Sequence, residues 1–311
     1  MATQKAWFYN KYGSVDVMEF GEFPVPKAEP GHVLIKVHAA ALNPVDYKRR
    51  EGVFQHNDSG FPTVPCGDMS GVVVEVGEGV TKFKKGDDVY GNALELMTKP
   101  KQCGTLAEYT LAAEQLLAAK PNNLSYEDAA SLVSVVVTAQ QAFETAKFTK
   151  GQSVFIVGGA GGVGSIAVQL AKHVYGASKV AASASTSKLD FLKTLGADLV
   201  VDYTKQSYEQ ISEKFDFVFD TVGESAKSHV LAKEGAPIID IATFPPHPKA
   251  QNMFAMLGAA KLEKLKECFE SGKVKAVLDP KSPFPFSKVL EAFKHLETGR
   301  AQGKIVISPI P

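Results

Sequence analysis

The chain has 311 residues, of which 45% are hydrophobic, and its 34 Lys and Arg residues balance its 34 Asp and Glu residues. This length allows two domains, and the absence of net charge excludes an electrostatic attraction to nucleic acid or to an anionic membrane surface. The three cysteines, Cys66, Cys103 and Cys268, are far apart and odd in number, which indicates neither a disulfide framework nor a four-cysteine zinc loop and suits a reducing compartment.

The N-terminal sequence and the apolar runs bear on location. An apparent strand begins almost at the first residue, so we expect no signal peptide or cleavable transit peptide. No apolar run reaches the ~18 residues of a membrane span. We therefore expect a cytoplasmic protein, with a chloroplast protein that lacks a cleavable transit peptide as the alternative.

The first part of the chain, residues 1–121, is predicted to be a β-rich domain. Runs rich in β-branched residues alternate with Gly, Pro and Asp turn signals, as strands separated by turns do. The clearest runs are HVLIKVHAAAL (32–42), GVVVEVG (71–77) and DDVYG (87–91).

From Ser125 onward the pattern changes to alternating helices and strands. A long helix is predicted over 125–147, with Ser125 and Asp128 at its cap. Short continuous apolar strands separated by helices then indicate a buried, doubly wound parallel sheet. The predicted strands cover 153–159, 179–185, 198–203, 215–223 and 236–243, and the helices cover 162–175 and 188–197. A loop (244–254), an amphipathic helix (259–273), another helix and a last strand follow.

The sequence GGAGGVG lies between the first strand of this sheet and the next helix. It contains Gly159-x-Gly161-x-x-Gly164, in which the glycines permit a tight turn, an approach to a pyrophosphate and close packing of helix on sheet. Together with Gly162 and Val163, these residues are predicted to bind a dinucleotide at the helix N-terminus. The alternative is a flexible turn without a ligand.

The next strand ends in hydroxyl groups and a lysine rather than in an acid. Ser185, Thr186, Ser187 and Lys188 precede the first carboxylate, Asp190. A carboxylate would repel a 2′-phosphate on the adenosine ribose, whereas an ammonium and hydroxyl groups would bind it. Tyr203, at the end of the third strand, is a further donor. We therefore predict NADP(H) as the coenzyme, with an exposed turn carrying a solvated lysine as the alternative.

Several motifs together resemble the medium-chain dehydrogenase/reductase superfamily. They are ALNPVDYKRREG (41–52), PCGDMSGVVVEVGEGVTKFKKGDDVYG (65–91), GTLAEY (104–109), GGAGGVG and GRAQGKIVI (299–307), and they cover nearly the whole chain in order. Within the superfamily they are similar to the zinc-lacking quinone oxidoreductase branch, and there to plant enone oxidoreductases. The resemblance implies an α/β protein: a GroES-like β-barrel catalytic domain (1–121, completed by 262–311) and a Rossmann NADPH-binding domain (122–261), with the active site in the cleft between them.

The resemblance also implies an activity. Members of this branch reduce the C=C bond of α,β-unsaturated carbonyl compounds with NADPH, so a small enone, alkenal or quinone is the expected substrate. NADPH quinone oxidoreductase activity and a non-catalytic NADPH-binding role remain alternatives. A homodimer formed through the edges of the Rossmann sheet, as in relatives, is also expected from the resemblance.

The positions that bind catalytic zinc in other members carry different residues here. Asn43 stands in place of a Cys and Gly67 in place of a His, while Asp68 keeps a carboxylate and Cys103 is solitary. One carboxylate does not make a zinc site. The expectation is therefore hydride transfer without a metal, which suits an activated C=C bond because the enolate oxygen can be held by hydrogen bonds.

The resemblance assigns site residues in the same way. Lys48, five residues after Asn43, matches a proton-relay position, so it is a candidate both for catalysis and for contact with the nicotinamide ribose; the alternative is a solvated lysine. Tyr47 is a second candidate donor, with packing as its other role. The remaining expected coenzyme contacts are Asn43, Thr138, Ile241, Met253, Phe254 and Arg300. For the hydrophobic members of this set, ordinary core or loop packing is the alternative.

The chain departs from the family pattern at two places. Cys66 stands where the family has a glycine, and Gly67 stands where the family has a residue with a side chain. LVSVVVTA replaces a Leu-Pro-Leu run before Thr138. We expect an enlarged pocket near Gly67. Cys66 is expected to be buried and inert.

Overall fold

The computed structural model describes residues 2–94 and 102–311, apart from the side chain of Asn57. The chain forms two compact units. The first contains Met1–Ser134, Leu257–Lys266 and Leu278–Pro311, and the second contains Val135–Met256 and Glu267–Val277. Among the described residues, no helix has both the length and the apolar character needed to cross a bilayer.

The described part of the chain alternates strands and helices. The strands are β1 (Thr3–Tyr9), β2 (Met18–Pro24), β3 (His32–Leu42), β4 (Asp68–Val76), β5 (Asp88–Asn92), β6 (Tyr109–Ala113), β7 (Leu117–Ala119), β8 (Ser153–Val157), β9 (Lys179–Ala184), β10 (Leu199–Asp202), β11 (Phe217–Asp220), β12 (Ile238–Asp240), β13 (Gln251–Asn252) and β14 (Ile305–Ile307). The helices are α1 (Pro44–Arg50), α2 (Tyr126–Thr145), α3 (Gly162–His173), α4 (Leu189–Thr194), α5 (Ser225–Ser228), α6 (Ala259–Lys264), α7 (Lys266–Glu270) and α8 (Val289–Glu297).

The first unit is built on antiparallel strands. One sheet has the order β14-β3-β4-β5-β7 with β6 also paired to β3, and β1 and β2 form a separate hairpin. Side chains from both sheets and from α8 fill one apolar core, including Trp7, Ile35, Val73, Phe286 and Phe293. The central strand β3 is buried along most of its length, and its C-terminal end leads directly into α1.

The second unit contains a parallel sheet with the order β10-β9-β8-β11-β12-β13. All residues of β8 and β11 are buried, as expected of parallel strands that are covered on both faces. The strand order reverses at β8, the point where such sheets bind ligands at their carboxyl ends. The predicted Rossmann sheet is confirmed.

Two details of the predicted elements differ from the structure. The single helix expected over 259–273 is wrong, because α6 and α7 are separated at Leu265. The loop expected over 244–254 contains the short strand β13. The predicted start of α2 is confirmed, since the Asp128 amide donates to Ser125 Oγ at 3.0 Å.

Candidate functional site

The glycine loop turns from β8 into the N-terminus of α3. Gly158 takes a φ of +76°, a conformation that L side chains rarely adopt. A Cβ on Gly164 would lie 2.2 Å from the Gly158 carbonyl oxygen, and one on Gly159 would lie 2.7 Å from Ala182 Cβ. Both glycines are therefore required by packing. Gly158 was not predicted as a site residue, although the Gly-Gly pair that it forms with Gly159 is a signal for such a turn.

Gly161 has a different environment. The nearest atom to a Cβ added there is the Gly158 carbonyl oxygen at 3.5 Å, an ordinary contact. Gly161 is the N-cap of α3, and Gly162 and Val163, which follow it, are half-buried. The first amide groups of a helix have no intrahelical acceptor, so this end can bind a pyrophosphate. The residues present fit a dinucleotide.

The hydroxyl-rich turn after β9 lies beside an acid that comes from the neighbouring strand. Thr186 Oγ1 donates to Asp202 Oδ2 at 2.5 Å, and Thr204 Oγ1 donates to the other oxygen at 2.6 Å. These two bonds lower the pKa of Asp202 to about 2. A carboxylate therefore lies beside the turn that is predicted to bind the 2′-phosphate, and the sequence of β9 alone did not predict it. The hydroxyl proton of Thr186 is already donated to this carboxylate.

The other predicted phosphate ligands follow the same turn. Ser185 and Lys188 are half-buried, Ser187 is exposed, and Tyr203 is 52% exposed at the end of β10. The pairing of β9 with β10 brings the two strand ends together. Their roles as ligands stay predictions.

The loop from Ile241 to Met256 is held against α2 by Gln141. The Gln141 side chain donates to the Phe254 carbonyl and accepts from the Met256 amide, each at 2.8 Å. Phe254 is 59% exposed and stacks on Phe244 with ring centroids 4.7 Å apart.

Other expected coenzyme contacts of this unit differ in exposure. Met253 is buried, with its sulfur 3.8 Å from Thr145 Oγ1, so its side chain packs within the unit. Thr138 and Ile241 are half-buried. The structure thus brings the Met253–Phe254 segment to the helix that carries Thr138, whereas Gln141, which holds the segment, was not predicted.

Helix α1 carries the two candidate catalytic residues. Of its basic run, Arg49 forms an ion pair with Asp58, and Arg50 with Glu297. Lys48 is half-buried, and among residues 2–94 and 102–311 no hydrogen bond or ion pair joins its ammonium to another residue. Of the three basic residues, Lys48 is therefore the one whose charged group is available to bind a ligand.

Tyr47 packs against the apolar core of the first unit. Burial raises the pKa of its hydroxyl above the usual value. The group holds its proton at neutral pH and is able to donate it in a hydrogen bond.

The positions that would hold zinc form a buried polar cluster instead. Asn43 Nδ2 and Asn92 Nδ2 donate to Asp68 at 2.8 and 2.7 Å. The ammonium of Lys304 donates to Asn43 Oδ1 at 2.6 Å and lies 3.9 Å from Asp68 Oδ2. An amide, a glycine and an adjacent ammonium do not fit a Zn²⁺ ion, which needs thiolate, imidazole or carboxylate ligands.

The enlarged pocket expected near Gly67 is wrong. A Cβ on Gly67 would lie 2.6 Å from Asn92 Nδ2, so the Asn92 amide already occupies the space. Asn92 was not predicted, because nothing in its local sequence links it to residue 67.

Two further residues named from the sequence, Cys66 and Arg300, lie in the first unit, as does Asp46 of α1. Burial raises the pKa of Asp46 to about 7 and raises the pKa of the Cys66 thiol well above its usual value. Cys66 is 1% exposed and takes a φ of +73°, so its expected burial is confirmed, while its inertness stays a prediction. Arg300 is exposed in the turn after α8.

Comparison with known proteins agrees with this architecture. Residues 29–122 match the family described as alcohol dehydrogenase GroES-like domain, and residues 195–307 match the zinc-binding dehydrogenase family. The chain is 52% identical over 309 residues to 2-methylene-furan-3-one reductase of Solanum lycopersicum, covering 99% of this chain and 79% of that protein. It is 50% identical to the chloroplastic NADPH-dependent alkenal/one oxidoreductase of Arabidopsis thaliana, and the match covers 99% of this chain and 80% of that protein.

Among solved structures, the quinone oxidoreductase from Coxiella burnetii superposes with a TM-score of 0.90 at 32% identity, and the match covers 99% of both chains. The expected α/β fold with GroES-like and Rossmann domains is confirmed. By its sequence and its fold, the chain belongs to the medium-chain dehydrogenase/reductase superfamily, among relatives that include alkenal/one and quinone oxidoreductases.

Proposed function

We propose that this protein is an NADPH-dependent reductase that transfers a hydride to the C=C bond of α,β-unsaturated carbonyl compounds. The observation that carries the proposal is the 52% and 50% identity, over 99% of the chain, to two plant enzymes named for reducing a conjugated methylene-furanone and for acting on alkenals and enones with NADPH. At this identity, with the glycine loop intact, the same reaction class is the simplest conclusion.

The coenzyme site lies at the carboxyl ends of β8, β9 and β10. We assign the pyrophosphate to the α3 N-terminus, at Gly161, Gly162 and Val163, and the 2′-phosphate to Ser185, Ser187, Lys188 and Tyr203. Hydrogen bonds to a charged group contribute about 1.5–3 kcal/mol each, so two of them would favour NADPH over NADH by ~10²–10³. Thr186 contributes only if its hydroxyl turns away from Asp202.

When bound, NADPH supplies the hydride. The protein must then stabilise the negative charge that develops on the carbonyl oxygen of the substrate. The ammonium of Lys48 is the cation available on α1, and the Tyr47 hydroxyl is a second donor. Hydrogen-bond donors aimed at such an oxygen stabilise the charge without a metal, in keeping with a cluster at Asn43, Gly67 and Asp68 that does not fit zinc.

The proposed reaction is tested by product identification. The purified protein is incubated with NADPH and a panel of enones, alkenals and quinones, and each product is identified by mass spectrometry. We expect saturated carbonyl products, with one NADPH consumed per C=C bond reduced. Oxidation of NADPH only by quinones, with hydroquinone as product, would contradict the proposal.

Quinone reduction is the second candidate function. It is favoured by the structural match to the quinone oxidoreductase from Coxiella burnetii. Competition between an enone and a quinone in one assay distinguishes the two, because the ratio of kcat/KM values identifies the preferred acceptor.

We further propose a cytoplasmic or chloroplast location and a homodimer formed through an edge of the Rossmann sheet. The chloroplastic relative from Arabidopsis thaliana supports the second location. Light scattering on the purified protein tests the dimer, and a fluorescent fusion in plant cells tests the location.

A further inference from the structure

Lys304 is a buried lysine just before β14. It is 5% exposed, and its ammonium donates to the Leu42 carbonyl and to Asn43 Oδ1, each at 2.6 Å. Burial lowers its pKa, whereas the nearby carboxylates Asp68 and Asp46 act in the opposite direction. An ammonium in an apolar interior is costly unless it is paired, so this environment is specifically built for a cation.

Asp68 provides the opposite charge and joins several elements of the first unit. Its side chain is fully buried. It accepts hydrogen bonds from Asn43 at the N-cap of α1, from Asn92 on β5 and from both the backbone amide and the hydroxyl of Ser134 on α2, at 2.6–3.1 Å. The carboxylate is thus fully solvated by protein donors, and Lys304 is the cation that balances it.

Asn43 connects Asp68 and Lys304 to the start of α1. It is the N-cap of the helix, and all of its free polar atoms are used. Its backbone N–H donates to Asp46 Oδ2 at 2.7 Å, its side-chain Nδ2 donates to Asp68, and its Oδ1 accepts from Lys304. The helix has only seven residues, too few to be stable alone. Its start is therefore determined by these buried contacts.

Tyr47 and Lys48 follow within this helix. We propose that Lys304 is a positioning residue for the reductase reaction: its buried ammonium balances Asp68 and holds the N-cap of α1, so that Tyr47 and Lys48 are presented to the substrate. The inference rests on the proposed function. In this role Lys304 orders the helix through Asn43 and Asp68.

The test compares two substitutions of Lys304 with a neighbouring core substitution. Lys304→Met removes the charge and its donors, and Lys304→Gln removes the charge but keeps a donor. Ile305→Ala is the matched control, since Ile305 is 1% exposed and its truncation lowers stability without touching the polar cluster. Global stability of all variants is measured by urea unfolding.

The first measurement is hydrogen–deuterium exchange of the peptide that covers residues 43–53, in the whole protein. We expect exchange in this peptide to be about tenfold faster in both Lys304 variants than in Ile305→Ala at equal global stability. Equal rates would overturn the inference. Should neither Lys304 variant fold, Asn43→Ala removes the side-chain amide that accepts from Lys304 and donates to Asp68, and unchanged exchange over 43–53 would then overturn it.

The second measurement separates positioning from coenzyme binding. Misplacement of a catalytic group by about 1 Å lowers turnover by up to about 10²-fold, so we expect kcat to fall by about ten- to a hundredfold in the Lys304 variants and to be retained in Ile305→Ala. The Kd for NADPH, from fluorescence, should change far less than kcat. If kcat follows global stability alone, the inference is wrong; if the unsubstituted protein turns over no acceptor, the proposed function fails instead.

Discussion

The turn after β9 carries the ammonium that we assign to the 2′-phosphate. Lys188→Ala should weaken NADPH binding by about 10- to 100-fold, because one hydrogen bond to a charged group is lost. NADH binding should not change, since NADH has no phosphate at this position. Fluorescence titration of both coenzymes measures the two Kd values.

The control for this substitution is the next lysine along the chain. Lys193 on α4 pairs with Asp190 at the surface, and its side chain is 59% exposed. Lys193→Ala should leave both Kd values unchanged. An equal loss of NADPH and NADH affinity in Lys188→Ala would refute the assigned phosphate contact.

Lys48 is the second residue whose role is directly testable. Lys48→Met keeps the apolar stem and removes the ammonium, and within the described part of the chain no hydrogen bond or ion pair depends on that group. We expect kcat for an enone to fall by about 10²–10⁴, the contribution of a positioned proton donor. The free energy of unfolding should be unchanged. Steady-state kinetics and urea unfolding check the two expectations together.

Tyr47→Phe completes the comparison on the same helix. It keeps the ring that packs against the core and removes only the hydroxyl. A small change in kcat would assign Tyr47 to packing and leave Lys48 as the donor. Full activity in Lys48→Met together with a large loss in Tyr47→Phe would reverse the assignment.

At the scale of elements, β8 and β11 are joined by a side chain as well as by their backbones. Asp216, just before β11, accepts hydrogen bonds from the amide and hydroxyl of Ser153, both at 2.8 Å, and from Lys233 Nζ at 2.7 Å. The bond from Lys233, followed by those from Ser153, lowers the pKa of Asp216 to about 2. The carboxylate therefore stabilises the centre of the parallel sheet in its ionised form.

We expect Asp216→Asn to lower the free energy of unfolding by about 1–1.5 kcal/mol at pH 7, because the side chain is 26% exposed and solvent screening reduces the effect. The folded pKa lies below the unfolded value of about 4. The stabilisation is therefore present above pH ~4 and is lost as the pH falls toward 2. Urea unfolding at pH 7 and pH 3 measures both variants.

Asp190→Asn is the control for the pH experiment. The Asp190 side chain is 94% exposed and pairs with Lys193 at the surface, so we expect no measurable change in stability. An Asp216→Asn penalty that stayed constant between pH 7 and pH 3 would show that the carboxylate charge is not its source.

The elements that were predicted well have local signals. The strands of the parallel sheet are continuous apolar runs because they are buried on both faces, and their bounds agree with the structure within a few residues. The helix over 259–273 was wrong for a physical reason. Leu262, Leu265 and Phe269 are all buried, so the apolar period continues through Leu265, where the backbone leaves the helical conformation with φ −101° and ψ 3°.

At the scale of the whole molecule, the sequence predicted the family and NADP(H) as the coenzyme, both of which are confirmed, but it did not predict the buried cluster around Asp68. The glycine loop and the turn after β9 are each a single continuous segment, so the sequence of each segment alone indicates what it can bind. Asn92, Ser134 and Lys304 come from distant parts of the chain and meet Asp68 only after β3, β4, β5 and β14 have paired. The same holds for Asp202, which reaches Thr186 through the pairing of β9 with β10.

The cluster around Asp68 makes a prediction about metals for the protein as a whole. Lys304 already balances the carboxylate, Asn43 is an amide, and the space at Gly67 is filled by Asn92. A Zn²⁺ ion would have to displace an ammonium, and the described residues contain no group of three or more His, Cys, Asp or Glu side chains placed to bind it. Prolonged dialysis against a chelator should therefore leave both the melting temperature and the turnover of an enone unchanged, and added Zn²⁺ should raise neither. Differential scanning fluorimetry and the NADPH assay, with elemental analysis of the dialysed protein, make the measurement. Activity that is lost to the chelator and restored by Zn²⁺ would show that the protein relies on a metal held elsewhere and that hydrogen-bond donors on α1 are not sufficient for the reaction.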